Sequence, residues 1–205
     1  YLQLHENQKA ITLFQQLKTL NPHYQSLYLY LAEALQEEEQ LEEAKAVIEE
    51  GIAENPFQVE LYQFASENAY RLHDIAGAEN WLLKALELGE KTDESRLTLS
   101  NLYLTEERFE EVITILNDLE ETDHPYAEWN LAKAYNELED FAVAKVHYEQ
   151  AAQELSHEPE FLKEYALFLR EEGELEKAKH LLYHYLEHEP GDVDMQSVLA
   201  DMEER

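Results

Sequence analysis

Three histidines, His180, His184 and His188, stand four residues apart. That spacing places side chains along one face of a helix and lets two imidazoles share a metal ion. They are the best metal candidate in the chain, yet the repeat phase described below turns them outward and no fixed acid completes a closed site. They read as exposed polar side chains, and no metal is expected. Carboxylates cannot be singled out as an acid–base pair either, because 46 Asp and Glu residues are spread along the chain and most must be solvated helix faces. With no cysteine there is no disulfide, thiolate nucleophile or cysteine-bound zinc. The five glycines are scattered and form no phosphate-cradling loop. Neither an enzyme nor a cofactor site is expected.

The elements that would carry any chemistry are legible from spacing. Ala10, Ala44, Ala78, Val112, Ala144 and Ala178 follow one another at intervals of 34, 34, 34, 32 and 34 residues. A second ladder, Ala32, Ser66, Ser100, Ala132, Ala166 and Ala200, runs at 34, 34, 32, 34 and 34. Two ladders in step mean one supersecondary unit repeated, not a domain with a single central core. Repeats that touch only their neighbours build extended surfaces.

With Ala32 set at position 8 and Ala44 at position 20, units begin at Gln25, Val59, Asp93, Pro125, Pro159 and Val193, after a partial unit. In the unit from Gln25, Leu27, Tyr30, Leu31, Ala34 and Leu35 share the i, i+3, i+4, i+7 spacing of an amphipathic helix. Glu37–Gln40 form a polar turn, and Leu41, Ala44, Ile48 and Ile52 mark a second helix before Pro56. All five prolines fall at unit boundaries, where they break no helix. Small residues at positions 8 and 20 let paired helices approach, and large ones at 7, 11, 17 and 24 fill the space between them.

This pattern resembles the tetratricopeptide repeat family, with large residues at 4, 7, 11, 17 and 24, small ones at 8, 20 and 27, and proline at 32. Position 7 reads Leu31, Ala65, Leu99, Leu131, Tyr165 and Leu199, and position 24 reads Phe14, Ile48, Leu82, Leu116, Tyr148 and Leu182. The resemblance spans the whole chain. It implies an all-α, right-handed α-α superhelix of about five complete helix hairpins plus partial repeats at both ends. Residues 1–205 read as one solenoid domain, with 193–205 as a terminal capping helix. Departures are local: Ala65 and Ala69 are undersized, with Phe64 expected to fill the space, and Arg96 and Glu128 occupy position 4. The unit from Asp93 is two residues short near Asp123-His124-Pro125. Tyr1 falls mid-helix and Arg205 mid-unit, so a fragment of a longer solenoid is expected and a missing signal segment carries little weight.

The resemblance also implies that the first helix of each unit lines a concave groove through positions 2, 5, 9, 12 and 13. Early units offer Leu29, Glu33, Gln36, then Gln63, Glu67, Tyr70. Later ones offer Leu97, Asn101, Leu104; Trp129, Lys133, Asn136; and Lys163, Leu167, Arg170. Amides can bond a peptide backbone, Trp129 can anchor an apolar side chain, and the cations can hold a carboxylate. Substituting Trp129, Lys133 or Arg170 is expected to weaken partner binding without lowering the melting temperature. Glu33 and Glu67 replace the cations with which some family members grip acidic chaperone tails, so that role is not expected.

A net charge of −31 repels phosphate and anionic lipid headgroups, so nucleic acid is not expected as a partner, nor is membrane insertion. No apolar run is long enough for a bilayer. The expected function is a cytoplasmic, non-enzymatic scaffold that binds a peptide segment or helix of another protein. A receptor for a small signalling peptide and a module that self-associates through its ends are the alternatives.

Overall fold

The computed structural model describes residues 7–24, 26–89, 92–117, 119 and 124–204. Tyr1, Gln25, Asp123 and Arg205, which marked the repeat phase in the sequence, lie outside them. Among the described residues all regular structure is helical. The helices are α1 (Asn7–Leu20), α2 (Leu27–Glu37), α3 (Leu41–Glu54), α4 (Val59–Arg71), α5 (Ile75–Glu87), α6 (Thr92–Thr105), α7 (Phe109–Leu116), α8 (Pro125–Glu137), α9 (Phe141–Ala151), α10 (Pro159–Glu171), α11 (Leu175–His188) and α12 (Val193–Glu203). The all-α hairpin repeat read from the sequence is the fold. Contacts divide the chain into a first unit ending at Leu102 and a second beginning at Tyr103.

In the first unit α2 pairs with α3 and α4 with α5, while α1 packs on α2 and α3 on α4. In the second, α8 pairs with α9 and α10 with α11, while α7 packs on α8 and α12 on α11. The small ladders sit where the helices cross: Ala32, Ala44, Ala132, Ala144, Ala166 and Ala178 are wholly buried, which lets backbones approach and the larger neighbours interdigitate. Gly51 belongs to the same logic, since a Cβ built there would lie 2.7 Å from Tyr28 Cβ. Ala200 departs from it. This last rung of the second ladder is exposed, because no described helix packs on that side of α12. Met195, Leu199 and Met202 hold α12 to the core instead.

One turn geometry recurs between the paired helices. Glu39, His73, Glu107, Glu139 and Gly173, all at position 15, have φ between 57° and 79°. At each, the following amide donates to a carbonyl five residues back: Gln40 to Leu35, Asp74 to Ala69, Arg108 to Tyr103, Asp140 to Tyr135 and Glu174 to Leu169, at 2.8–2.9 Å. This is the left-handed helix stop that satisfies the last carbonyls and reverses the chain. Only Gly173 meets it with the residue that suffers no Cβ penalty. Pro125 and Pro159 open α8 and α10 in the first turn, where a missing N–H is harmless.

The undersized pair on α4 is only partly compensated. Phe64 packs with Ala32, Ile48 and Ala65 as expected, yet a cavity of ≈ 400 Å³ remains beside Ala65 and Ala69.

Candidate functional site

The sequence-predicted surface residues divide between the two units. Leu97, partly buried, and Asn101, exposed, belong to the first. Leu104, Trp129, Lys133, Asn136, Lys163, Leu167 and Arg170 belong to the second, all of them partly buried. In the early repeats one expected groove residue is not at the surface: Gln36 is buried, and its amide donates to the buried Asn68 at 3.3 Å. Asn68 in turn donates to the Leu41 carbonyl at 3.0 Å, and Arg71 donates to the Gln36 carbonyl at 2.8 Å. Gln36 therefore ties repeat to repeat, since a buried amide must find partners.

In the second unit α8 and α10, the first helices of their hairpins, bring aromatic and charged groups together. The Trp129 indole N–H donates to Glu164 Oε2 at 3.0 Å, and its ring meets Phe161 edge-on at 5.6 Å between centroids. The Lys133 ammonium lies 4.4 Å from the Trp129 ring centroid, a cation–π distance. The Tyr148 hydroxyl on α9 donates to Glu164 Oε1 at 3.3 Å. Glu164 is thus the hub of a polar network that fixes the indole. Burial pushes its carboxyl above the usual range, against the nearby Lys133 and the two donors that favour the anion. Burial likewise pushes the Lys133 ammonium below its ordinary value, with Glu164 opposing. The Tyr148 phenol is raised by burial first and by Glu164 next. The neighbouring Tyr165, stacked on Tyr148 at 5.0 Å, is pushed up to about 12 by burial and then by Glu149 and Glu174.

The other predicted cations are also engaged within the chain. Lys163 donates to Asp192 Oδ2 at 2.9 Å, and the same oxygen accepts from the Tyr185 hydroxyl at 2.7 Å. Asp192 also caps α12 by accepting from Met195 N at 3.1 Å. Lys163 first and Tyr185 next hold its carboxyl well below the usual range. Arg170 lies 3.7 Å from Glu171. The convergence of positive charge expected from the sequence is therefore offset by local acids. Glu164, Tyr148, Asp192 and Tyr185 were not among the sequence candidates. Their signal is an offset: Trp129 and Glu164 are 35 residues apart, Gln36 and Asn68 32, and Lys163 and Asp192 29, each close to one repeat.

The histidines on α11 stay peripheral. His180 and His188 are exposed, and the rings of His184 and His188 meet edge-on at 5.3 Å. A different histidine is drawn into the second unit. His147 Nδ1 lies 2.6 Å from Glu128 Oε2, and its ring stacks on Tyr135 at 5.3 Å. This gives the acidic residue at position 4 a partner.

The same repeat plan is found in known proteins. A tetratricopeptide repeat model matches residues 1–66, and a model described as YpiA-like, C-terminal tetratricopeptide repeats matches residues 125–192. The chain belongs to the tetratricopeptide repeat family. It is 32% identical over 197 residues, 95% of its length, to the TPR repeat-containing protein YpiA of Bacillus subtilis (strain 168). It spans about half, 47%, of that relative. Among solved tetratricopeptide structures it is similar to PilF of Pseudomonas aeruginosa, with a TM-score of 0.79, 16% identity, and coverage of 98% of this chain and 92% of that one. It is also similar to YrrB, described as a TPR protein with an unusual peptide-binding site, with a TM-score of 0.67, 14% identity, and coverage of 90% and 96%. At such identities the likeness is one of fold. Among the described residues no helix of this tetratricopeptide protein is long and apolar enough to cross a membrane.

Proposed function

We propose that the chain is a non-enzymatic interaction scaffold whose second unit holds an extended segment of a partner protein across the first helices α8 and α10. The observation that supports this reading is the fixed indole. Trp129 is partly buried, bonded to Glu164, braced by Phe161 and flanked by Lys133, so an aromatic anchor is held in one orientation before a ligand arrives. Ordering such a side chain in advance removes part of the entropic cost of binding. Asn136, one turn beyond Lys133, offers an amide that can donate to and accept from a peptide backbone, and Leu167 and Arg170 continue the surface along α10. A solved protein of this fold is described as having a peptide-binding site, which is consistent with the proposal. The expected residence is the cytoplasm.

The network changes how the proposal must be tested. Trp129 also supports the α8–α10 packing, so its removal lowers stability as well as binding. Asn136 and Arg170 separate the two effects. Peptides selected from a random library on the wild-type chain should bind Asn136→Ala and Arg170→Ala at least ~10-fold more weakly, the loss of about one good polar contact. Both variants should melt at the wild-type temperature. Unchanged affinity in both variants overturns the assignment.

A further inference from the structure

The cavity left by Ala65 and Ala69 on α4 lies in the first unit, lined also by residues of the second helices α3 and α5. Its volume, ≈ 400 Å³, is within the range of ligand-holding clefts. Ala65, Ala69, Ile48, Leu72 and Trp81 line it, together with the buried Asn68, whose amide is already bonded to Gln36 and to the Leu41 carbonyl. The family pattern expects large residues at the two alanine positions, and the space they leave is not taken up by Phe64. The rim is different in kind. Glu42 and Glu49 project from α3, and Asp74 stands at the start of α5. One cation, Lys45, lines the cleft with these three carboxylates, and all four residues are exposed. Asp74 is held in place because its Oδ1 accepts from Gly77 N at 2.9 Å. One face of Trp81 already carries Lys84, with Nζ 4.2 Å from the ring centroid, so a further cation is drawn to the rim rather than to the indole.

A mostly apolar lining, whose one buried amide is already partnered, under an acidic rim fits a side chain with a long aliphatic stem and a cationic tip. The stem covers apolar surface while the head remains at the polar edge. A guanidinium can engage carboxylates in pairs, which a compact ammonium cannot do as well. We infer that the cleft between α3 and α5 is a second docking site, which receives an arginine side chain from a basic segment of a protein partner. The site uses no residue of the α8–α10 surface, so the two readings can fail separately.

The test is an NMR titration of the full 205-residue chain with N-acetyl-arginine amide, using N-acetyl-citrulline amide as the neutral isostere and N-acetyl-leucine amide as the apolar control. The arginine probe should give saturable shifts at the amides of Gly77 and Asn80 and at the Trp81 indole, and the two controls should not. Glu49→Gln removes a rim charge and Ala69→Leu fills the cleft; each should weaken the arginine probe by about tenfold. If Ala69→Leu does not fold, the double variant Glu42→Gln, Glu49→Gln gives the same reading through the rim alone. Equal binding of citrulline or leucine overturns the proposal. So do arginine shifts spread evenly over the acidic surface, or a titration that neither rim nor lining substitution alters.

Discussion

Glu164 on α10 accepts the indole N–H of Trp129 on α8 at 3.0 Å, across the boundary between successive hairpins. One bond therefore links the stability of the stack to the orientation of the aromatic side chain proposed as the anchor for a partner.

Because burial holds the Glu164 carboxyl above its unfolded value, the folded state takes up this proton before the unfolded state does. Stability from this group rises as pH falls through the raised pKa and is lost again as pH rises through it. Glu164→Gln keeps an acceptor for Trp129 but does not titrate. Calorimetric melting from about pH 7 down to the unfolded carboxyl value of about pH 4 should show wild type gaining on the variant as the solution is acidified. A constant difference across that window would contradict a raised pKa.

Asp192 behaves oppositely. Lys163, Tyr185 and the Met195 amide stabilise its anion, so its contribution is present above the unfolded value of about pH 4 and is lost as pH falls further toward the depressed folded pKa. Asp192→Asn should melt below wild type at neutral pH, and the gap should close under acid. The expected sign is the reverse of that for Glu164, which makes the pair a self-controlled experiment.

The repeated left-handed turn residue gives a stability series. Glu39, His73, Glu107 and Glu139 hold a positive φ with a Cβ in place. Replacing any of them with Gly should raise the urea midpoint by the equivalent of ~0.5–1 kcal/mol, after the entropy that Gly adds to the unfolded chain is subtracted. Gly173→Ala, which introduces the same strain, should lower it by about as much.

Two rungs of one ladder should respond differently to the same change. Ala132 is wholly buried, and Ala132→Glu forces both volume and charge between α8 and α9, at a cost of at least ~3 kcal/mol. Ala200 is exposed, and Ala200→Glu should stay within about ±0.5 kcal/mol. Circular dichroism melts of the two variants decide it.

How far the sequence could be read follows from what periodicity records. Ladder spacing, boundary prolines and apolar stripes repeat with every hairpin, so the helices and their pairing were legible. Ala200 misled because a repeat pattern marks a packing position whether or not a later helix occupies it. Gln36 misled for a related reason: its position in the unit suited a surface, but Asn68, 32 residues on, drew it inside. The Trp129–Glu164 bond, like the Lys163–Asp192 pair, depends on register between successive hairpins, and a motif read within one unit contains no information about its neighbour. The α3–α5 cavity was half visible. Ala65 and Ala69 announced missing volume, but only summed side-chain packing reveals that Phe64 does not replace it.

Hydrogen–deuterium exchange of the chain with and without a library-selected peptide tests the central functional claim most directly. The account predicts new protection concentrated in the segments 129–136 of α8 and 163–170 of α10. Protection confined to α9 and α11, with those two segments unchanged, would contradict it.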